Sequence, residues 1–191
     1  WGGVGVGVGA LETDDVGAAV ARFAGEGIEA SAIALLNSYG STGQEDAVAD
    51  PLGSFPWRAM SSRIAPIMGV YERTSAAVVN AYIAPKVVGY LRELDGHLRE
   101  QGLVRPILLL QSNGGAISVD QVAERPVNLV LSGPAAGVGA LGLYAAAAGT
   151  DDMVSMGIGG TSCDVMLMGG GAVAVTDELI IDGYHLATPS V

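Results

Sequence analysis

Half of the 191 residues are hydrophobic and only 15% are charged, so the chain can bury a substantial core as one or two domains and is no disordered tail. A formal net charge of -11, with no local Lys/Arg cluster to offset it, argues against nucleic acid as a partner and leaves any small anion to be held by local dipoles. One cysteine, Cys163, excludes an internal disulfide; two histidines, His97 and His185, cannot build a His/Cys zinc site of ordinary composition, and a reducing cytoplasm fits best.

The chain starts at Trp1 without an apolar leader and reads as a piece of something longer. Residues 1–10 alternate Gly and Val, and Gly5 to Ala10 satisfy a loose G-x-G-x-x-A pattern. The strand that such a dinucleotide fingerprint needs in front of it is missing. Thr13-Asp14-Asp15 starts a helix with Val16, Ala19, Val20 and Phe23 on one face, closed by Gly25 and Gly27. Residues 28–36 then read as a buried strand, a helix-to-strand step of the α/β kind. Asn37-Ser38-Tyr39-Gly40 falls at its carboxyl end, where open α/β sheets place ligands. A short helix over 44–49 and a loop over 50–56 lead to a boundary placed after residue 58.

Residues 64–67 read as extended, and Tyr71-Glu72-Arg73-Thr74 introduces the longest helix, 75–101. Its apolar stripe runs through Val78, Val79, Tyr82, Ile83, Val87, Leu91, Leu94 and Leu98, with Pro85 expected to interrupt or kink it. Glu72 and Arg73 read either as a solvated pair at the helix entry or as partners of a ligand or neighbouring domain. The apolar run 107–110 has the character of a central strand and stops at the polar glycine turn Gln111-Ser112-Asn113-Gly114-Gly115. A short helix over 118–123 and a buried strand over 127–131 follow. Ser132 then reads as an N-cap and Pro134 as the first helical residue of an Ala/Gly-rich helix, whose free N–H groups and positive dipole end suit an anion or simply a capped helix. The G-x-G-x-x-G match at Gly137, Gly139 and Gly142 lies inside this helix, where small residues permit close packing. The charge-free stretch 126–150 is long enough to raise a membrane span, but Asn128 and Ser132-Gly133-Pro134 break it, so none is expected.

The sequence from Val154 to Val165 is a short apolar strand, a turn carrying glycines and two hydroxyls, and a carboxylate. Gly159-Gly160-Thr161-Ser162 would set several backbone N–H groups and two hydroxyls around one anion, with Asp164 placed to orient water or a magnesium ion. A plain β-hairpin, with glycines permitting positive φ angles, accounts for the same residues equally well. Residues 165–181 continue as an antiparallel meander, and Asp182-Gly183-Tyr184-His185 is a further turn.

Taken together, Leu35-Leu36-Asn37-Ser38-Tyr39, Tyr71-Glu72-Arg73-Thr74-Ser75, Asn80-Ala81-Tyr82, Gln111-Ser112-Asn113-Gly114-Gly115, Arg125-Pro126-Val127, Leu131-Ser132-Gly133-Pro134-Ala135-Ala136-Gly137-Val138 and Gly159-Gly160-Thr161-Ser162-Cys163-Asp164-Val165 resemble, in order and interval, the hydantoinase A / 5-oxoprolinase family. That family also includes subunits of ATP-dependent acetone and acetophenone carboxylases. The resemblance implies part of an α/β, actin-like ATPase (ribonuclease H-like) fold, a mixed sheet with flanking helices around MgATP. Residues 1–58 would be the C-terminal part of the family's N-terminal region, and 59–191 the first part of its hydantoinase A/oxoprolinase domain. The implied chemistry is ATP-dependent opening of a cyclic amide: the ring carbonyl oxygen is phosphorylated, and water attacks the activated carbon. The alternatives are a ketone carboxylase subunit and a non-catalytic actin-like scaffold. The resemblance assigns Gly159, Gly160, Thr161 and Ser162 to phosphate, Thr161 and Asp164 to catalysis, and Asp164 to Mg²⁺, with Asn113, Gly114, Gly115, Ser132 and Gly133 on the cleft wall. A hydantoinase B-like subunit or domain and an oligomeric assembly are the expected partners.

Three departures accompany it. Gly157 stands where the family has an aspartate, Glu45 is all that remains of an Asn-Pro-x-His-Glu sequence, and further nucleotide loops are expected upstream of Trp1 and downstream of Val191. The 191-residue polypeptide alone is therefore expected not to turn over ATP.

Overall fold

The computed structural model describes residues 13–160 and 162–191; the glycine/valine stretch 1–10 and Thr161 lie outside the described residues. Helix α1, Thr13–Gly25, precedes strand β1, Ala30–Ile33, which pairs in parallel with β2, Trp57–Met60. Between these strands run α2, Gly43–Ala49, and a 3-10 turn, Pro51–Ser54. One helical turn, α3, Ser61–Ile64, follows β2, and the long α4, Val70–Glu100, packs on both strands. Small residues make the approach close: Ala59 of β2 and Ala76, Ala77 and Ala81 of α4 join Ile64 and Val127 in one core. A second core sets Ile33, Ala49, Leu52 and Phe55 against Val20 and Phe23 of α1, with the two phenylalanine rings edge-on at 6.5 Å.

The second half opens with a hairpin of β3, Leu108–Leu110, and β4, Ala116–Ser118. Helix α5, Val119–Val122, a 3-10 turn, Pro126–Leu129, and α6, Ser132–Ala148, come next. Strands β5, Met153–Ile158, β6, Cys163–Gly169, and β7, Ala172–Val173, form an antiparallel sheet that carries α6 on one face. Strands β8, Leu179–Ile181, and β9, Tyr184–Leu186, make a last hairpin. It turns through Asp182 and Gly183, at φ of 50° and 81°, the two left-handed positions of a tight hairpin.

Several expectations give way to tertiary effects. The strand over 28–36 shrinks to the four residues of β1; of the stretch 64–67 read as extended, Ile64 closes a helical turn after β2, while Ala65 is extended, at φ -144° and ψ 94°, without pairing as a strand. Residues 58 and 59 are neighbours within β2, where Arg58 and Ala59 pair with Ser31 and Ala32. Helix α4 runs through Pro85 without interruption. Ala81, Ala84 and Val88 on either side of the ring are buried, and that packing holds the helix where the missing N–H would loosen it. The strand expected over 127–131 is a 3-10 turn: the N–H of buried Val127 goes to Asn80 Oδ1 of α4 at 3.1 Å, not to a strand neighbour. Strand β3 is not central among the described residues. It pairs with β4, and only Leu109 turns inward, toward Leu91 and Val122, while Leu108 and Leu110 are exposed. No described helix is long and apolar enough to cross a membrane.

Candidate functional site

The hairpin of β5 and β6 is formed in full register, from Met153 opposite Met168 to Ile158 opposite Cys163, and Gly159, Gly160 and Ser162 lie at its tip. Gly159 donates its N–H to Ser162 O at 2.9 Å and closes the turn. Neither Gly159 nor Gly160 has the positive φ that a plain hairpin turn would demand of its glycines. A Cβ added at Gly160 would meet nothing within 4 Å, and at Gly159 only Ser162 O at 3.6 Å. Nothing in the described chain therefore requires glycine at 160, by backbone angle or by contact. What a glycine uniquely permits there is close approach by a group from outside the chain.

Just beyond the tip, half-buried Asp164 lies opposite Gly157 and lines a cleft of about 410 Å³. The opposing wall is the start of α6, through Leu131 and Pro134, and the cleft is completed by Leu179, Ser190 and Val191 among others. The helix start differs from the expected cap. Leu131 is the residue before the helix, in a left-handed conformation at φ 58°, so Ser132 is the first helical residue and Pro134 the third, and no side chain caps the end. A left-handed leucine costs about 1–3 kcal/mol, and the uncapped first turn leaves its N–H groups and the positive dipole end on the cleft side. Ser132 and Gly133 sit between the two lining residues.

Asn113, Gly114 and Gly115 are placed one step away. They form the β3–β4 turn, in which Asn113 Oδ1 accepts the Gly115 N–H at 2.9 Å and Gly114 takes φ 82°. The preceding residue ties that turn to the cleft edge: Ser112 Oγ donates to Pro189 O at 2.9 Å, and the Val191 N–H donates to Ser112 O at 3.1 Å. The fold thus sets Asp164 and the α6 start on one cleft, while Gly159, Gly160 and Ser162 at the hairpin tip and Asn113 to Gly115 lie outside its lining.

A divalent ion is the donor set's next test. Among the described residues, no three His, Cys, Asp or Glu side chains converge as a metal site. Asp164 is a single carboxylate, which suits magnesium only when phosphate oxygens and waters supply the other positions. A carboxylate at 157 would face it across the strand pair; a Cβ there would stand 3.8 Å from Asp164 O, an ordinary contact.

A second constellation, whose members the sequence reading names only separately, lies under the carboxyl end of β1. Glu45 is fully buried. Its Oε1 accepts from Ser61 Oγ at 2.6 Å, Ser38 Oγ at 2.8 Å and the Leu35 N–H at 3.0 Å, and its Oε2 from Ser62 Oγ at 2.6 Å and the Ser62 N–H at 2.9 Å. Burial alone would raise its carboxyl pKa, but the hydrogen bonds from Ser61, Ser62 and Ser38 outweigh that and hold it below the ordinary glutamate value. Arg73 is no solvated helix-entry residue: it is completely buried, donating from Nε to Ser61 Oγ at 2.9 Å, from Nη1 to Ile67 O at 2.9 Å and from Nη2 to Leu35 O at 2.6 Å. The two charges thus share Ser61 and clamp the loop holding Ser38 and Tyr39, whose ring centre lies 6.0 Å from the guanidinium carbon. No periodicity announces this cluster; a lone Glu and Arg in polar stretches look solvated until the chain brings them together.

Comparison with known proteins follows the same outline. A family model described as Hydantoinase/oxoprolinase matches residues 73–191. The alpha subunit of caprolactamase from Pseudomonas jessenii is 30% identical over 184 residues, which is 95% of this chain and 26% of that subunit. The solved ATP-dependent caprolactamase from that organism superposes with a TM-score of 0.81 over 94% of this chain and 26% of its own. The 5-oxoprolinase of Saccharomyces cerevisiae is 28% identical over 171 residues, 86% of this chain and 13% of that protein. Acetone carboxylase, in a nucleotide-free structure, superposes with a TM-score of 0.82 at 23% identity, covering 94% of this chain and 26% of that one. The architecture is thus part of an α/β fold of the actin-like ATPase type, and the chain spans about a quarter or less of the length of these relatives.

Proposed function

This chain belongs to the hydantoinase/oxoprolinase family, and from that premise we propose that it is part of an ATP-dependent hydrolase that opens cyclic amides. The family includes ATP-dependent amide hydrolases and multi-subunit enzymes, so ATP use and a partner subunit of the hydantoinase B kind fit the same reading. Amide resonance makes a ring carbonyl a poor electrophile, and phosphorylating its oxygen turns that oxygen into a leaving group. Bound ATP with Mg²⁺ supplies the phosphoryl group and neutralises its charge. The chain's own task is then positioning and electrostatics. The turn at Gly159, Gly160 and Ser162 admits an anion close to the backbone, and Thr161, between Gly160 and Ser162 in sequence, would add a hydroxyl. The uncapped α6 start at Ser132 and Gly133 adds a positive dipole end. Asp164 holds the ion's water shell or orients a water, and Asn113 to Gly115 stand behind the cleft edge.

The observation that carries this reading is Gly160, a glycine that the described chain itself does not need. Gly160→Val in the full-length protein is expected to leave the unfolding midpoint unchanged, because the new side chain enters open space. Nucleotide affinity is expected to fall by about tenfold or more, since the same side chain occupies the approach to the backbone. Equal nucleotide affinity in calorimetric titrations of the two proteins would sink the reading.

Gly157 favours a second reading, a non-catalytic actin-like scaffold, because the partner carboxylate of Asp164 is absent. Gly157→Asp separates the two. In a disarmed nucleotide site the new carboxylate completes a pair across β5 and β6, so magnesium is expected to raise both thermal stability and nucleotide affinity. Without magnesium the like charges repel and stability falls slightly, by about 0.2–1 kcal/mol. A variant that ignores magnesium and nucleotide alike supports the scaffold.

A further inference from the structure

Four of the nine Lys and Arg residues, scattered in sequence from Arg58 to Arg125, come together around β2 on a chain whose net charge is -11. Arg58, Arg63 and Arg125 wall a cleft of about 360 Å³. A second cleft, of about 280 Å³, adjoins it through Arg58 and Glu124, which line both, and adds Arg92, Trp57 and Asn80. Neither shares a residue with the Asp164 cleft. Like charges set together repel unless an anion joins them. Among the described residues only Arg63 of the four is ion-paired, with Asp46 Oδ1 at 2.8 Å. Arg58 Nη1 donates to Ala49 O at 3.1 Å, and the guanidinium carbon of Arg92 stands 5.8 Å from the Trp57 ring centre. A guanidinium carries five N–H donors, so most of theirs are left for another acceptor.

Asn80 points the same way. It is 4% exposed, and its Oδ1 is committed to the Val127 N–H at 3.1 Å. What this nearly buried side chain offers the smaller cleft is therefore its amide NH₂, a further donor. Set against the four guanidiniums, Asp46 and Glu124 leave two positive charges over. Surplus donors and a surplus charge of that size match a tetrahedral dianion: guanidinium forks take phosphate oxygens in pairs, and a phosphate group carries about -1.5 to -2 at neutral pH. We infer that these adjoining clefts bind a phosphate dianion, as inorganic phosphate or the phosphate group of a small phosphomonoester, at a site separate from the proposed nucleotide cleft. A lone carboxylate from elsewhere in a longer polypeptide brings one negative charge and leaves the other positive charge unmet.

Inorganic phosphate titrated calorimetrically into the full-length protein is expected to bind with a dissociation constant below about 1 mM. Binding should weaken as sodium chloride is raised, because all four arginines are exposed and their charges are screened. Arg92→Gln and Arg125→Gln change exposed positions, one on each cleft, and should each weaken phosphate binding by about tenfold or more. Gly160→Val should leave it unchanged, since Gly160 lines neither cleft. Trp57 gives an independent readout, taken as the emission difference between the parent and Trp57→Phe. Phosphate should change that difference by drawing Arg92 from the ring, and acetate, a monoanion, should not at equal concentration. No binding by the full-length protein overturns the inference and leaves the clefts to carboxylates of the longer polypeptide. Affinity unaltered in both folded arginine variants, affinity lost with Gly160→Val, a Trp57 signal that ignores phosphate, or one that acetate matches overturns it equally.

Discussion

Glu45→Ala is expected to cost about 3–5 kcal/mol, a large share of the roughly 5–15 kcal/mol that holds a domain folded. The carboxylate accepts hydrogen bonds from three hydroxyls and two backbone N–H groups in a place without water access. Removing it leaves those donors unpaired and Arg73 as an uncompensated buried charge. Glu45→Gln is the milder test. It keeps the volume but turns an amide NH₂ toward donors, so it should fall between the parent and the alanine variant. Urea unfolding followed by circular dichroism reads both, and an unchanged midpoint for Glu45→Ala would show that the cluster is not what holds β1, α3 and α4 together.

The same carboxylate makes the fold acid-sensitive. Its folded pKa is lower than in the unfolded chain. The stabilisation is therefore fully present above the unfolded value, about 4.3, and is lost as pH falls through the lowered folded value. Glu45→Gln should flatten that acid limb while leaving its other features in place. A parent protein equally stable at neutral pH and well below the unfolded glutamate pKa would contradict this.

Asp164→Asn in the full-length protein is expected to lower magnesium-dependent phosphate release by about 10²–10³-fold, the scale for removing one electrostatic contact to a transition state. The amide is isosteric and sits at a half-buried strand position, so folding should hardly change. A loss of rate with nearly unchanged nucleotide affinity marks Asp164 as acting on the ion or the water; affinity and rate falling together would mark it as a ground-state ligand. Unaltered turnover would remove Asp164 from the chemistry.

Much of this was legible in the chain. The local signals were strong for α1, for α2, for the Ser118 start of α5 and for the glycine-rich hairpin after Met153, because capping residues and apolar periods act over a few residues; the stripe expected on α4 was misplaced, since Val78 and Tyr82 are exposed and the buried face runs through Ala77, Ala81, Ala84, Val88 and Leu91. Arg73 illustrates the opposite case. Its sequence surroundings, Tyr71-Glu72-Arg73-Thr74, suit a solvated helix entry, and only the meeting of α4 with β1 and α3 buries it. Val127 was similarly opaque, since its apolar neighbours argue for a strand while Asn80, 47 residues earlier, takes its N–H.

By itself, then, the sequence determined the family, the acidic character of the chain and the order of the family's motifs, all of which reside in residue identity and spacing. Tertiary structure alone decided that Asp164 shares a cleft with the start of α6, that the Gly160 backbone is open to an outside group, and that Glu45 and Arg73 form a buried pair through Ser61. Those are relations between segments distant in sequence. Hydrogen-bond geometry and burial arise only when such segments are packed against one another, and no local propensity encodes them.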